Sequence, residues 1–147
     1  MANRVLYDRT VTALTTALTT ELNGLANDAR KLGGQLDVAQ NLYATFQLSI
    51  AAQGSARTSG ARVLLYLIPS YDNGTTYMYG SDSLDPSENH LAGSFKFDAS
   101  TTARIDMIER IELGAGFYKP LLINKTGQAL AASGNVLSWA VFSPEMQ

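Results

Sequence analysis

From Leu42 onward the chain alternates short apolar segments with breaks rich in Gly, Asn and Pro, and that punctuation excludes most folds. Leu42–Ile50 shows the rule most cleanly. Leu42, Ala44, Phe46, Leu48 and Ile50 share one parity, and Tyr43, Thr45, Gln47 and Ser49 share the other. Strict period two means a strand with one face in a core and one face toward solvent or a partner. Further strands read at Arg62–Ile68, Ser94–Asp98, Arg104–Leu113, Phe117–Asn124 and Val136–Phe142. Six to eight strands joined by short turns predict an all-β, single-domain, jelly-roll-like β-sandwich. A chain of 147 residues is long enough to bury such a core without staples.

Several segments need closer reading. Val63–Ile68 is apolar on both parities, so it is either a central strand covered on both sides or a strand with an interface on its outer face. Pro69 has no N–H to donate and is expected to end that ladder. In Arg104–Leu113, Ile105, Met107, Ile111 and Leu113 share a parity with Glu109. Asp106, Ile108, Arg110 and Glu112 form the other, charged face. Thr75–Tyr79 reads as a possible short strand. Val136–Phe142 carries Leu137, Trp139 and Val141 on one face.

Residues 1–41 are ambiguous. Leu14, Leu18, Leu22 and Leu25 recur at helical spacing, yet Thr10, Thr12, Thr15, Thr16, Thr19 and Thr20 favour a strand. The segment reads as an extended or partly helical N-terminal arm, or as the first strands, ahead of a sandwich core over 42–147. An arm would add a strand to a neighbour; otherwise the segment packs on its own sandwich.

Composition excludes several functions. Charged residues are 16% of the chain against a usual quarter, and the formal net charge is −2. No basic run or aromatic–basic alternation points to nucleic acid. With no cysteine there is neither a disulfide nor a thiolate metal site. The longest apolar stretch, Val63–Pro69, is far too short to span a bilayer. No secretory pattern opens the chain, so synthesis in the cytoplasm is expected.

Catalytic chemistry is equally thin. The single histidine, His90, sits in a polar loop over Gly80–Gly93, near Ser81, Ser83, Asp85 and Ser87, without a nucleophile elbow. Asp82, Asp85 and Glu88 match no EF-hand loop and read as a plain acidic loop, with an irregular calcium site as the alternative. No catalytic, cofactor-binding or metal-binding residue is assigned, and no cofactor is expected. The candidates for a partner interface are Tyr66, Tyr71, Tyr77, Tyr79 and His90. Tyrosine brings large area and a polar tip to such surfaces. A sugar-binding face lined by Tyr66, Tyr71, Tyr77, Tyr79 and Tyr118 with Trp139, its exposed row drawn from Tyr66, Tyr77, Tyr79 or Trp139, is the competing use of the aromatics.

Two turns recur in a recognisable context: Asp72-Asn73-Gly74-Thr75-Thr76-Tyr77 and Asn124-Lys125-Thr126-Gly127-Gln128-Ala129-Leu130. Together with the opening Thr/Ala/Leu run, Leu42–Leu48, Val63–Leu67 and Phe117–Ile123, they cover roughly residues 11 to 142. In this order they resemble a family of small tailed-phage virion proteins, similar to capsid cement or decoration proteins. The resemblance implies a jelly-roll-like sandwich and no enzymatic role. It implies a position on the capsid exterior, the virus's major capsid protein as partner, and self-association. No nucleic-acid or membrane partner is expected. A tail or neck adaptor, or a carbohydrate-binding module, is the alternative.

Overall fold

The computed structural model of the protein describes residues 13–39 and 41–143. Nine strands form: β1 (Thr15–Leu18), β2 (Arg30–Leu32), β3 (Leu36–Asp37), β4 (Tyr43–Ile50), β5 (Arg62–Ser70), β6 (Leu91–Lys96), β7 (Arg104–Glu112), β8 (Phe117–Lys125) and β9 (Val136–Phe142). Single 3-10 turns occur at Thr20–Leu22 and Glu88–His90. The first half of the chain pairs antiparallel with the second in reverse order: β5 with β6, β4 with β7, β2 and β3 with β8, and β1 with β9. The chain is therefore one long hairpin. Rolling it up adds two further pairs, β4 with β9 and β5 with β8. The result is a front sheet ordered β1-β9-β4-β7 and a back sheet ordered β2-β8-β5-β6, with β3 also on β8. This is the predicted all-β sandwich, in jelly-roll order.

The core lies between the sheets. The front sheet contributes Ala44, Phe46, Leu48, Ile50 and Leu137, and the back sheet Val63, Leu65, Phe95 and Leu122. All are withdrawn from water, and burying each large side chain stabilises the fold by about 1.5–3 kcal/mol. Trp139 faces this core beside its cross-strand partner Phe46, with ring centroids 6.3 Å apart.

Residues 13–39 pack on the chain's own sandwich. The helical leucine stripe does not form: Leu18 reaches the core from a strand and Leu22 from a 3-10 turn, while Leu14 is exposed. Thr10, Thr12 and the rest of 1–12 lie outside the described residues.

Three expectations are corrected. First, β5 runs through Pro69 to Ser70, pairing Pro69 with Tyr118. The Pro69 carbonyl accepts from Met78 N–H, so that edge of the residue faces away from β8. In a strand, N and C=O of one residue point to the same side, so the missing donor lies outside the β5–β8 ladder. Second, the β7 alternation changes phase. Ile108 pairs with Phe46 and Ile111 with Ala44, so an extra residue bulges between them, and Arg110 takes φ 54°. Ile105 and Met107 therefore point outward, whereas Ile108 and Ile111 pack on the core. Third, Thr75–Tyr79 is not a strand, and β6 starts at Leu91 rather than Ser94.

The doubly apolar β5 is explained by a cover within the chain. On the outer face of the back sheet, Tyr66, Ile68, Leu121 and Ile123 form a second cluster, joined by Leu32, Leu64 and Tyr77. Residues 71–90 lie over it as a strap. Asp82 accepts from Lys31 Nζ at 2.8 Å and from Leu32 N–H at 2.7 Å, and Asp85 pairs with Arg30 at 2.6 Å. Tyr77 donates to Gln35 at 2.8 Å, and Lys119 Nζ sits 4.2 Å from its ring centroid.

Candidate binding surface

With the back sheet strapped, the outer face of the front sheet is left bare among the described residues. Its side chains stand in cross-strand rows. Thr16, Ser138, Gln47 and Met107 make one row, Val136, Ser49 and Ile105 a second, and Ala140 and Thr45 a third. The first two carry no charge, whereas Thr45 stands opposite the bulge residues Glu109 and Arg110. A fourth row stacks Tyr43 on Phe142 at 5.4 Å, with Arg110 over the Tyr43 ring at 5.6 Å and Glu112 beside it. Ile105 is 65% exposed and Met107 40%. Sequence reasoning missed this surface because the β7 bulge, which turns both residues outward, carries no glycine to announce it.

The tyrosines divide. Tyr66 is only 8% exposed and lies under the strap, which corrects its assignment to a partner interface. Tyr77 is half-buried, and burial pushes its hydroxyl pKa up. Tyr71 is 79% exposed and Tyr79 is also open. With Tyr66 and Trp139 inside, the four aromatics proposed as a sugar-binding row are not brought together.

Tyr71 and His90 do meet, at one end of the sandwich. They line a groove of about 210 Å³ with Asn89, Glu112 and Tyr118, over an apolar floor that includes Leu67, Pro69 and Leu113. The Tyr118 hydroxyl donates to Gly114 C=O at 3.0 Å, and desolvation raises its pKa. No serine near His90 is poised as a nucleophile. Ser87 Oγ caps the 3-10 turn by accepting from Asn89 N–H, and Ser81 Oγ accepts from Leu84 N–H. Asp82 and Asp85 are occupied by Lys31 and Arg30. Among the described residues, no three potential metal ligands cluster.

The two recurring turns are scaffold. Asp72 Oδ1 accepts from Ser70 Oγ, Thr75 N–H and Thr76 N–H, and the bonds from Thr76 and Ser70 lower its pKa to about 2. Asn124 is fully buried. Its amide donates to Leu25 C=O and Gln128 C=O at 2.8 Å each, and its Oδ1 accepts from Thr126 N–H at 3.0 Å. The turn ends in Gly127, at φ 80°, where a Cβ would lie 2.2 Å from Thr58 Cγ2. A third staple is Arg57, 2% exposed. It donates to Gln53, to the Asp98 carbonyl and carboxylate, to Ser100 Oγ and to Thr102 C=O. Arg104 pairs with the same carboxylate and, with Ser100 and Arg57, holds the Asp98 pKa down at about 2.

No protein-family description and no curated protein matches the sequence. Among solved structures, the fold is similar to the CBM36-1 domain of a multidomain xylanase from the hindgut metagenome of Trinervitermes trinervoides. That likeness has 14% identity, 92% of this chain and 93% of the other covered, and a TM-score of 0.47. It is also similar to Xyl-CBM35, seen in complex with a glucuronic acid-containing disaccharide, at 16% identity, 95% and 84% coverage and a TM-score of 0.47. A family 6 carbohydrate-binding module gives 12% identity, 95% and 92% coverage and a TM-score of 0.44. At these values the likeness lies in strand arrangement, and a shared arrangement fixes no ligand.

Proposed function

We propose that the chain is a non-catalytic binding module that attaches through the outer face of its front sheet, and that its partner is the surface of an assembled protein shell. One observation carries the reading: the sheet face left uncovered has two adjacent uncharged rows and presents Ile105 and Met107 to water. Protein interfaces are depleted in charge at their centre and enriched in methionine and aromatic residues. Burying Ile105 and Met107 in a partner is worth about 1.5–3 kcal/mol each. Many copies on one shell would multiply a modest single-site affinity. The turn motifs favour a viral capsid as that shell, with the chain as a decoration protein. A tail or neck component would use the same face at low copy number.

A carbohydrate-binding module is the second reading. The aromatic row expected for it is not assembled, but the Tyr71 groove offers a different place for a sugar.

The test counts copies of the chain per nuclease-resistant particle, by quantitative mass spectrometry against the major coat protein. Near-stoichiometric abundance is the expected result. The double variant Ile105→Asp, Met107→Asp should keep its stability, since both side chains are exposed, and should lose attachment at least about tenfold. Absence from particles, or full attachment of the double variant, would overturn the reading.

A further inference from the structure

We infer that the groove at the end of the sandwich is a subsite for one neutral pyranose unit of a glycan. The inference rests on the binding-module reading and is independent of which shell, if any, the front sheet meets. Three features point to this ligand. Tyr71, a residue 79% exposed, stands at the groove's rim. An exposed ring offers a platform for the C–H face of a pyranose. Next, Asn89 and His90 line the groove, and the side chain of neither makes a hydrogen bond or ion pair among the described residues. An amide and an imidazole supply donors and acceptors of the kind that vicinal hydroxyls require. Finally, the volume, about 210 Å³, falls below the range of roughly 300–1,000 Å³ common for drug-sized ligands. It suits a single ring.

The charge pattern narrows the class. No lysine or arginine lines the groove, and the Glu112 side chain stands on the front-sheet face beside Tyr43. An anionic sugar would be desolvated there without a counter-charge. The subsite therefore selects neutral hexoses or pentoses over uronates. The larger cleft at the opposite end of the sandwich, about 300 Å³ near Gln53 and Gln128, has neither an aromatic nor a charged lining residue and offers no comparable platform.

The experiment is an amide-resolved NMR titration of the full chain with cellobiose, lactose, maltose and xylobiose, and with glucuronic acid as the anionic probe. The expected result is saturable shifts from at least one neutral disaccharide, confined to Tyr71, Asn89–Ala92 and Leu113–Gly114, with glucuronic acid inert. Tyr71→Ala, at an exposed position that leaves the fold intact, should weaken binding at least about tenfold. Asn89→Ala should weaken it too. No saturable shift from any neutral probe would overturn the assignment, as would shifts on the front sheet at Gln47 and Ser138, or Tyr71→Ala binding unchanged. Stronger binding of glucuronic acid would overturn the neutral class. The particle count and the Ile105→Asp, Met107→Asp variant report separately on the binding-module reading, so either can fail without the other.

Discussion

Replacing Asn124 by aspartate should damage this protein more than replacing it by alanine, although aspartate is nearly isosteric. The buried amide makes three hydrogen bonds, two inside the Asn124–Leu130 turn to Thr126 and Gln128 and one that ties the turn to Leu25. In Asn124→Ala, the two carbonyls keep a second partner each: Leu25 C=O also accepts from Leu130 N–H, and Gln128 C=O from Thr126 Oγ1. Thr126 N–H, in a residue with no exposure, is left with none. One orphaned buried donor costs about 1–3 kcal/mol and each lost neutral bond about 1 kcal/mol. The total is roughly 3–5 kcal/mol, or about 10–15 °C in Tm for a chain of this size. In Asn124→Asp, the Thr126 bond survives, but an ionised oxygen replaces the NH2 group against both carbonyls. Burial and these acceptors raise the introduced carboxyl's folded-state pKa above its unfolded value of about 4. Its deficit is then smallest below that unfolded value, where it is protonated in both states, and grows as pH rises toward the folded pKa. Urea unfolding followed through the single tryptophan, Trp139, at pH 4 and pH 7 (~3 units apart) measures both effects. Asn124→Asp matching Asn124→Ala at neutral pH, or showing no relief on acidification, would refute the assignment of the amide's donors.

Arg57→Ala should cost about 2–3 kcal/mol in the same urea assay, because it removes the hydrogen bonds that join the 51–61 and 97–103 loops, while the half-exposed Asp98 keeps Arg104. The strap should loosen in acid. Hydrogen bonds from Lys31 and from Leu32 N–H lower the Asp82 pKa, so its contribution is full above the unfolded pKa of about 4 and is lost as pH falls through the folded value. Hydrogen exchange over 71–90 should therefore rise at low pH, and Asp82→Asn with Asp85→Asn should reproduce that at neutral pH. Unchanged protection would mean that apolar contact alone holds the strap.

How much was legible in the sequence follows from these particulars. The period-two pattern of Leu42–Ile50 and Val136–Phe142 determines strands with one buried face, because side chains alternate across a pleated chain. Both turns are legible too, since Asn73, Gly74 and Gly127 take positive φ, which those residue types favour. Three things needed the folded molecule. The β7 bulge reverses which parity faces the core, and it is imposed by pairing with β4 some sixty residues earlier. The cover over Tyr66 comes from ion pairs between 82–85 and 30–31, partners that only the rolled hairpin brings together. The Tyr71 groove joins residues from 67 to 118. Local sequence thus determined what the regularly alternating strands bury, because that depends on alternation along one chain. Tertiary structure decided which outer face stays bare, because that depends on which distant segment arrives to cover it.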